Sequence, residues 1–176
     1  MAVVCNSSPL IYLAKATHLQ LLRKTYAEVY VSEDVWREAV YPILYARSIP
    51  EDVPIILDAR DQGWLKVREL QSQDSLRTRQ ELLEQGLGAG ESSSIALAKE
   101  FGTILIANDE AAIEAAKRYN VETRWVTEAL HDALKADHIV SVQEYTEILD
   151  ACVRKGMYVA KKDRENAILK ARETRG

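Results

Sequence analysis

The sequence predicts an α/β fold: a single domain with a central, mostly parallel sheet and helices on both faces. Short apolar runs of strand length alternate with segments whose apolar residues recur at helical spacing. The connections between successive runs are far longer than hairpin loops, so the strands are joined by crossovers and run mostly parallel. The chain has 176 residues, 47% of them hydrophobic, enough for one core without disulfide or metal staples.

Val3, Val4 and Cys5 form the first strand-sized run, which stops at Asn6-Ser7-Ser8-Pro9. Leu10, Ile11, Leu13 and Ala14 then follow helical spacing, with Ser8 placed to cap the helix and Pro9 to start it. A second helix is expected over His18 to Lys24, and a strand at Val29 to Val31. Ser32 caps the next helix, whose first turn carries Glu33 and Asp34 at the positive end of its dipole. Val35, Trp36, Ala39, Val40 and Ile43 supply that helix's apolar stripe.

From Tyr41 to Gln85 the pattern weakens to a less regular insertion, with prolines at 42, 50 and 54. A helix is expected at Ile55 to Asp61 and a strand at Trp64 to Val67, whereas polar Gln71 to Gln80 reads as an inserted or mobile loop. Regularity returns with a helix over Glu91 to Phe101 ending at Gly102. A strand at Thr103 to Ala107, the turn Asn108-Asp109 and a helix over Glu110 to Tyr119 follow. Val121 to Val126 is the last expected strand, and Thr127 caps a helix to about Ala136. Ser141 with Glu144 forms a capping box for a helix ending near Gly156, and a basic amphipathic segment closes the chain from Lys161 to Arg172. The domain proper is expected over 1–156 and the basic C-terminal segment over 157–176.

Cys5 and Cys152 lie at opposite ends of the chain with no C-x-x-C spacing, which points away from a disulfide framework or zinc knuckle and toward a reducing cytoplasm. The apolar runs are too short for a membrane span, and MAVVCNSS lacks the features of a secretion signal. The net charge of −4 is a compensated average. From Arg154 onward there are eight basic and three acidic residues, against 15 basic and 24 acidic residues before it. An acidic mean therefore does not exclude a nucleic-acid partner, since the basic tail can steer a phosphate backbone; it reads equally as a solvated helix that keeps the protein soluble.

In open α/β sheets ligands bind beyond the carboxyl ends of the strands, which places Asn6-Ser7-Ser8 and Asn108-Asp109 on one rim. Glu91 shares a helical face with Ile95 and Ala98, so a carboxylate is written onto a stripe otherwise meant for the core. It reads either as a site residue or as a half-exposed carboxylate favoured by the helix dipole. Asp109 is likewise either a site residue or an N-cap, and Glu38 taken alone is a solvated helix residue. What distinguishes them is their joint order along the chain.

That order, carried by VVCNSSPLIYLAK, VSEDVWREAV, GLGAGESSSIALAKEFGTILIANDEAA and TEALHDALKADHIVSVQEYTEILDACVRKGMY, resembles the PIN domain, and within it a branch of small prokaryotic PIN-like proteins with an Asn-Ser/Thr-Ser first motif. The resemblance implies a metal-dependent ribonuclease, in many relatives the toxin of a toxin–antitoxin pair. It implies Glu38, Glu91 and Asp109 as catalytic residues, and Asn6, Glu38, Glu91 and Asp109 as ligands for Mg2+ or Mn2+. Ser8 and Asn108 are supporting residues. Asn6 stands where most of the superfamily has its first aspartate, and Asn108 where this branch often has another. RNA, an antitoxin protein and a second copy of the chain are the implied partners, with Trp36, Tyr41 and Tyr45 either building the dimer face or filling the core.

The chemistry of such a site follows from charge. Two carboxylates about 4 Å apart repel by roughly 4 kcal/mol at an effective dielectric near 20, so a cluster must take up protons or hold a cation. Hard oxygen donors select magnesium or manganese over zinc. The alternative reading is a catalytically weak or inactive PIN-like module that binds RNA or a partner protein. Gly86-Leu87-Gly88-Ala89-Gly90 lacks the preceding strand and the G-K-[ST] of a phosphate loop, and no G-x-S-x-G is present for serine hydrolase chemistry. His18, His131 and His138 are expected to be structural or exposed.

Overall fold

The computed structural model describes residues 1–44 and 48–176. Five parallel strands, β1 (Ala2–Cys5), β2 (Glu28–Ser32), β3 (Leu65–Arg68), β4 (Ile104–Ile106) and β5 (Thr123–Arg124), form one sheet in the order β3-β2-β1-β4-β5. The chain builds outward from β1 through β2 to β3, then crosses back to lay β4 on the other side of β1. The order therefore reverses between β1 and β4. That reversal opens a crevice at the carboxyl ends of those two strands, the place where open sheets bind ligands.

Alternation along the strands divides the interior into two layers. Val3 and Cys5 of β1 and Ile104 and Ile106 of β4 point into one layer, shared with α1 (Ser7–Lys15), α2 (Gln20–Thr25), α3 (Glu33–Val40), α4 (Asp52–Asp61), α8 (Val126–Lys135) and α9 (Val142–Arg154). Val4 and Leu105 point the other way, toward α5 (Gln73–Glu84), α6 (Ala89–Phe101) and α7 (Glu110–Arg118). The expected α/β domain with helices on both faces is what the chain forms.

Local differences from expectation have physical causes. Asn6, not Ser8, caps α1: its Oδ1 accepts the Ser7 N–H at 2.9 Å, so the helix starts two residues before Pro9 and holds the proline in its first turn, where the missing N–H costs nothing. Helix α4 likewise begins at Asp52 with Pro54 in its first turn. β5 is only two residues long, because Glu128 Oε2 accepts the Trp125 N–H at 2.9 Å and commits the chain to α8 before Thr127. Ser141 caps α9 as expected, while Glu144 reaches the N–H of Val140. The stripe residue Ile43 lies in a short 3₁₀ turn, Tyr41–Leu44, and Tyr45 lies outside the described residues.

The largest difference is α5, which occupies the stretch expected as a loop. Ser72 caps it by accepting the Ser75 N–H at 3.0 Å. Its buried stripe is Ser75, Thr78 and Leu82, helical in spacing but mostly polar, so hydrophobic periodicity does not reveal it. Glu100 of α6 supplies the polar partner by accepting the N–H groups of Gln71 and Ser72 and the Ser75 hydroxyl. Burial opposes the Glu100 charge, yet these bonds together hold its carboxyl below its ordinary value. Lys99 pairs with Asp74 at 2.7 Å, and Arg79 with Asp34 of α3 at 2.9 Å. Leu82 is the one large apolar side chain that α5 buries completely.

The basic C-terminal segment forms α10 (Lys161–Arg175), packed on α8 and α9. Arg164 grips Asp150 through two hydrogen bonds of 2.8 and 2.9 Å, and Arg175 donates to Asp137 and to the carbonyls of Leu134 and Ile139. Among the described residues no helix is long and apolar enough to cross a membrane. Both cysteines are free and buried, and burial pushes the Cys5 thiol up to about 12 and the Cys152 thiol to about 11.

Leu82→Ala is expected to lower the unfolding free energy by about 3 kcal/mol in chemical denaturation, the ordinary cost of an unfilled Leu site. A loss under about 1 kcal/mol would show that α5 is not docked as described.

Candidate active site

The amino end of α6 gathers the site. Asn6, buried at the end of β1, extends the ladder by donating its N–H to the Ile106 carbonyl at 2.9 Å, while its Oδ1 accepts the Ser94 hydroxyl of α6 at 3.4 Å. Glu91 lies one turn before Ser94 on the same face, half-buried, with Oε2 accepting the Gly88 N–H at 3.0 Å. Glu38 reaches across from α3, where its Oε1 accepts the Gly90 N–H at 2.9 Å. Two carboxylates thus converge on the free N–H groups of one helix, at the dipole end that stabilises negative charge. Asp109 caps α7 from the end of β4, its Oδ1 accepting the Ala112 N–H at 2.9 Å.

Each of the three acidic residues therefore is a helix cap, and each spends only one oxygen on that task. Among the described residues the second oxygens, Glu38 Oε2, Glu91 Oε1 and Asp109 Oδ2, accept no hydrogen bond, and none of the three carboxylates has a Lys or Arg partner. The capping reading and the ligand reading are thus compatible for the same side chain. Ser8 lies in the first turn of α1, half-buried, without a side-chain hydrogen bond among the described residues. Asn108 donates its amide to the Tyr158 carbonyl at 3.1 Å, tying the segment before α10 to the rim. An aspartate there would present a second acceptor to that carbonyl.

Three residues not singled out by sequence complete the arrangement. Ser93 bonds the Ser32 hydroxyl at 2.7 Å, fixing α6 against the α3 cap, and Ser94 holds Asn6. Gly90 makes room for Glu38: a Cβ on it would fall 2.5 Å from Glu38 Oε1 and 2.6 Å from the carboxyl carbon. The available signal was GESSS itself, a run of small and polar residues on a helix that packs all round.

The family model described as the PIN domain matches residues 2–173. The chain belongs to the PIN domain family. A PilT N-terminus domain protein from the archaeon Sulfolobus solfataricus P2 is 18% identical, with a TM-score of 0.47, over 76% of this chain and 94% of that one. VapBC2 from Rickettsia felis, bound to a DNA fragment from their promoter, is 18% identical with a TM-score of 0.52, over 71% of this chain and 98% of that one. No curated protein matches in sequence.

PIN domains are generally nucleases dependent on divalent metal, and the donors here fit such an ion in kind: hard oxygens without a competing cation among the described residues. Among those residues no three His, Cys, Asp or Glu side chains converge as a ready cage, so the rim offers separate oxygens and not a closed coordination sphere. Magnesium tolerates this, since it keeps several waters and takes one or two carboxylates.

Gly90→Ala is expected to leave stability within about 1 kcal/mol of the parent, because the clash falls on the mobile end of Glu38 and alanine favours a helix. Manganese affinity, measured by calorimetry, should fall. Unchanged affinity would show that Glu38 has no part in metal binding.

Proposed function

We propose that this PIN domain is a metal-dependent ribonuclease that hydrolyses RNA phosphodiester bonds with Mg2+ or Mn2+, and the toxin of a toxin–antitoxin pair. The observation that carries it is that the three cap carboxylates, Glu38, Glu91 and Asp109, each keep one oxygen free of hydrogen bonds and of any Lys or Arg partner among the described residues. Glu91 and Asp109 are the primary ligands; Glu38 and the Asn6 carbonyl oxygen complete the set. When bound, the ion supplies Lewis acidity toward the phosphodiester and an acidified water.

The protein's own contribution is position. Helix α6 holds Glu38 and Glu91 through its N–H groups, which limits how far either carboxylate can recoil from the other. Asn6 contributes an oxygen without charge, so affinity is lower than an aspartate would provide. The fold shared with the VapBC2 structure supports an antitoxin partner, and the exposed Tyr41 supports a homodimer face, whereas Trp36 is buried beneath Arg60. The uncharged Asn6 favours one second reading, a module that binds RNA or protein without cutting.

Asp109→Asn and Glu91→Gln keep an acceptor for the Ala112 and Gly88 N–H groups, so both caps survive while one charge is lost. Each is expected to lower manganese-dependent RNA cleavage about 100-fold or more, and chelator should abolish cleavage by the parent. Full activity in either variant would refute the ligand assignment; RNA binding with no turnover in the parent would establish the module.

A further inference from the structure

Helix α3 carries Glu38 to the amino end of α6, and polar contacts along its length hold it there. At its start the Ser32 hydroxyl meets Ser93, and near its end Glu38 Oε1 accepts the Gly90 N–H, both on α6. Between them the contact runs to a different helix. Arg79 of α5 donates from Nε to Asp34 Oδ2 at 2.9 Å, and its Nη2 stands 2.9 Å from the same oxygen. Among the described residues this pair is the one hydrogen-bonded or ionic link between α3 and α5. The side chains are 31% and 21% exposed, so water screens the pair only in part.

Asp34 precedes Glu38 by four residues, so both carboxylates stand on one face of α3, about 6 Å apart along its axis. Carboxylates at this spacing repel, and the Arg79 guanidinium offsets that repulsion at Asp34. Arg37, the cation of α3 itself, is engaged by Glu33 at 2.6 Å. Helix α5 is a firm base for the contact because other elements fix it. Glu100 of α6 accepts the Ser72 N–H, Lys99 pairs with Asp74 at 2.7 Å, and Tyr119 at the end of α7 donates to Glu81 at 2.9 Å.

We propose that Arg79 is a positioning residue for Glu38: from α5 it grips Asp34, sets the rotation of α3 about its own axis, and so fixes where the free Glu38 oxygen stands on the rim. The assignment rests on the reading of Glu38 as a metal ligand. A guanidinium suits the task better than an ammonium, since Nε and Nη2 meet one carboxylate oxygen from a planar fork. Charge and position make opposite demands here. Removing the Arg79 cation leaves the rim more negative and by charge alone strengthens cation binding, whereas removing the Asp34 anion weakens it. Loss of position weakens binding in both.

The test is manganese affinity of the full chain by calorimetry, for Arg79→Gln and for Asp34→Asn. Each should lower affinity about tenfold, the low end for an outer partner of a metal ligand, and Arg79→Lys should lose less. In a Glu38→Gln background neither should lower it further. Amide proton resonances of the metal-free protein give a second reading: Gly90, bonded to Glu38, should move upfield in both variants, while Ser72, held by Glu100, stays and shows α5 still docked. Affinity changes of opposite sign in the two variants, further loss in the Glu38→Gln background, or an unmoved Gly90 resonance would overturn the proposal. If Gly90 moves but the parent binds no manganese, or the variants bind it as the parent does, the metal reading of Glu38 fails and the positioning role stands.

Discussion

Five residues at the amino end of α6 hold the carboxyl edge of the sheet together. Gly90 binds Glu38 of α3 through its N–H, Glu91 folds back on Gly88, Ser93 meets Ser32 at the end of β2, and Ser94 meets Asn6 at the end of β1. Helix N–H groups without an internal partner must be satisfied, and here carboxylates satisfy two of those at the start of α6, Glu38 from α3 and Glu91 from the helix itself. The same requirement that completes the helix therefore concentrates negative charge beside the strand ends.

The position of that helix is useful because of the strand order. β1 and β4 are neighbours in the sheet but far apart in sequence, so Asn6 and Asp109 meet on one rim only through the crossover that carries α5 and α6 between them. Asn108 extends the rim in the other direction by holding the Tyr158 carbonyl, and with it the approach to α10. The basic C-terminal segment is thereby built into the wall of a cleft that starts at Asp109, instead of standing free in solvent.

Where apolar runs and spacing control structure, the sequence was readable: β1, β2 and β4, short apolar runs whose residues enter the two cores alternately, and α3, α7 and α9, with their serine or aspartate caps, lie close to where composition and spacing place them. α5 was not readable because Ser75, Thr78 and the contacts of Glu100 do the work that leucines usually do. At the site, sequence offered two readings each, a site residue or a dipole-favoured carboxylate for Glu91 and a site residue or an N-cap for Asp109. The cap takes one oxygen of each carboxylate and leaves the other without a hydrogen bond among the described residues, so the two readings are compatible. The role of Gly90 was hidden because a glycine's purpose is the volume it leaves, and the occupant, Glu38, lies 52 residues away in sequence.

The central claim is that the cap carboxylates around α6 and α7 are metal ligands. It is tested most directly by crystals grown with manganese and measured at its absorption edge. The account predicts an anomalous peak in the crevice between the ends of β1 and β4, ligated by Glu91 and Asp109 with the Asn6 carbonyl oxygen nearby. A peak elsewhere on the molecule, or none at saturating manganese, would contradict it.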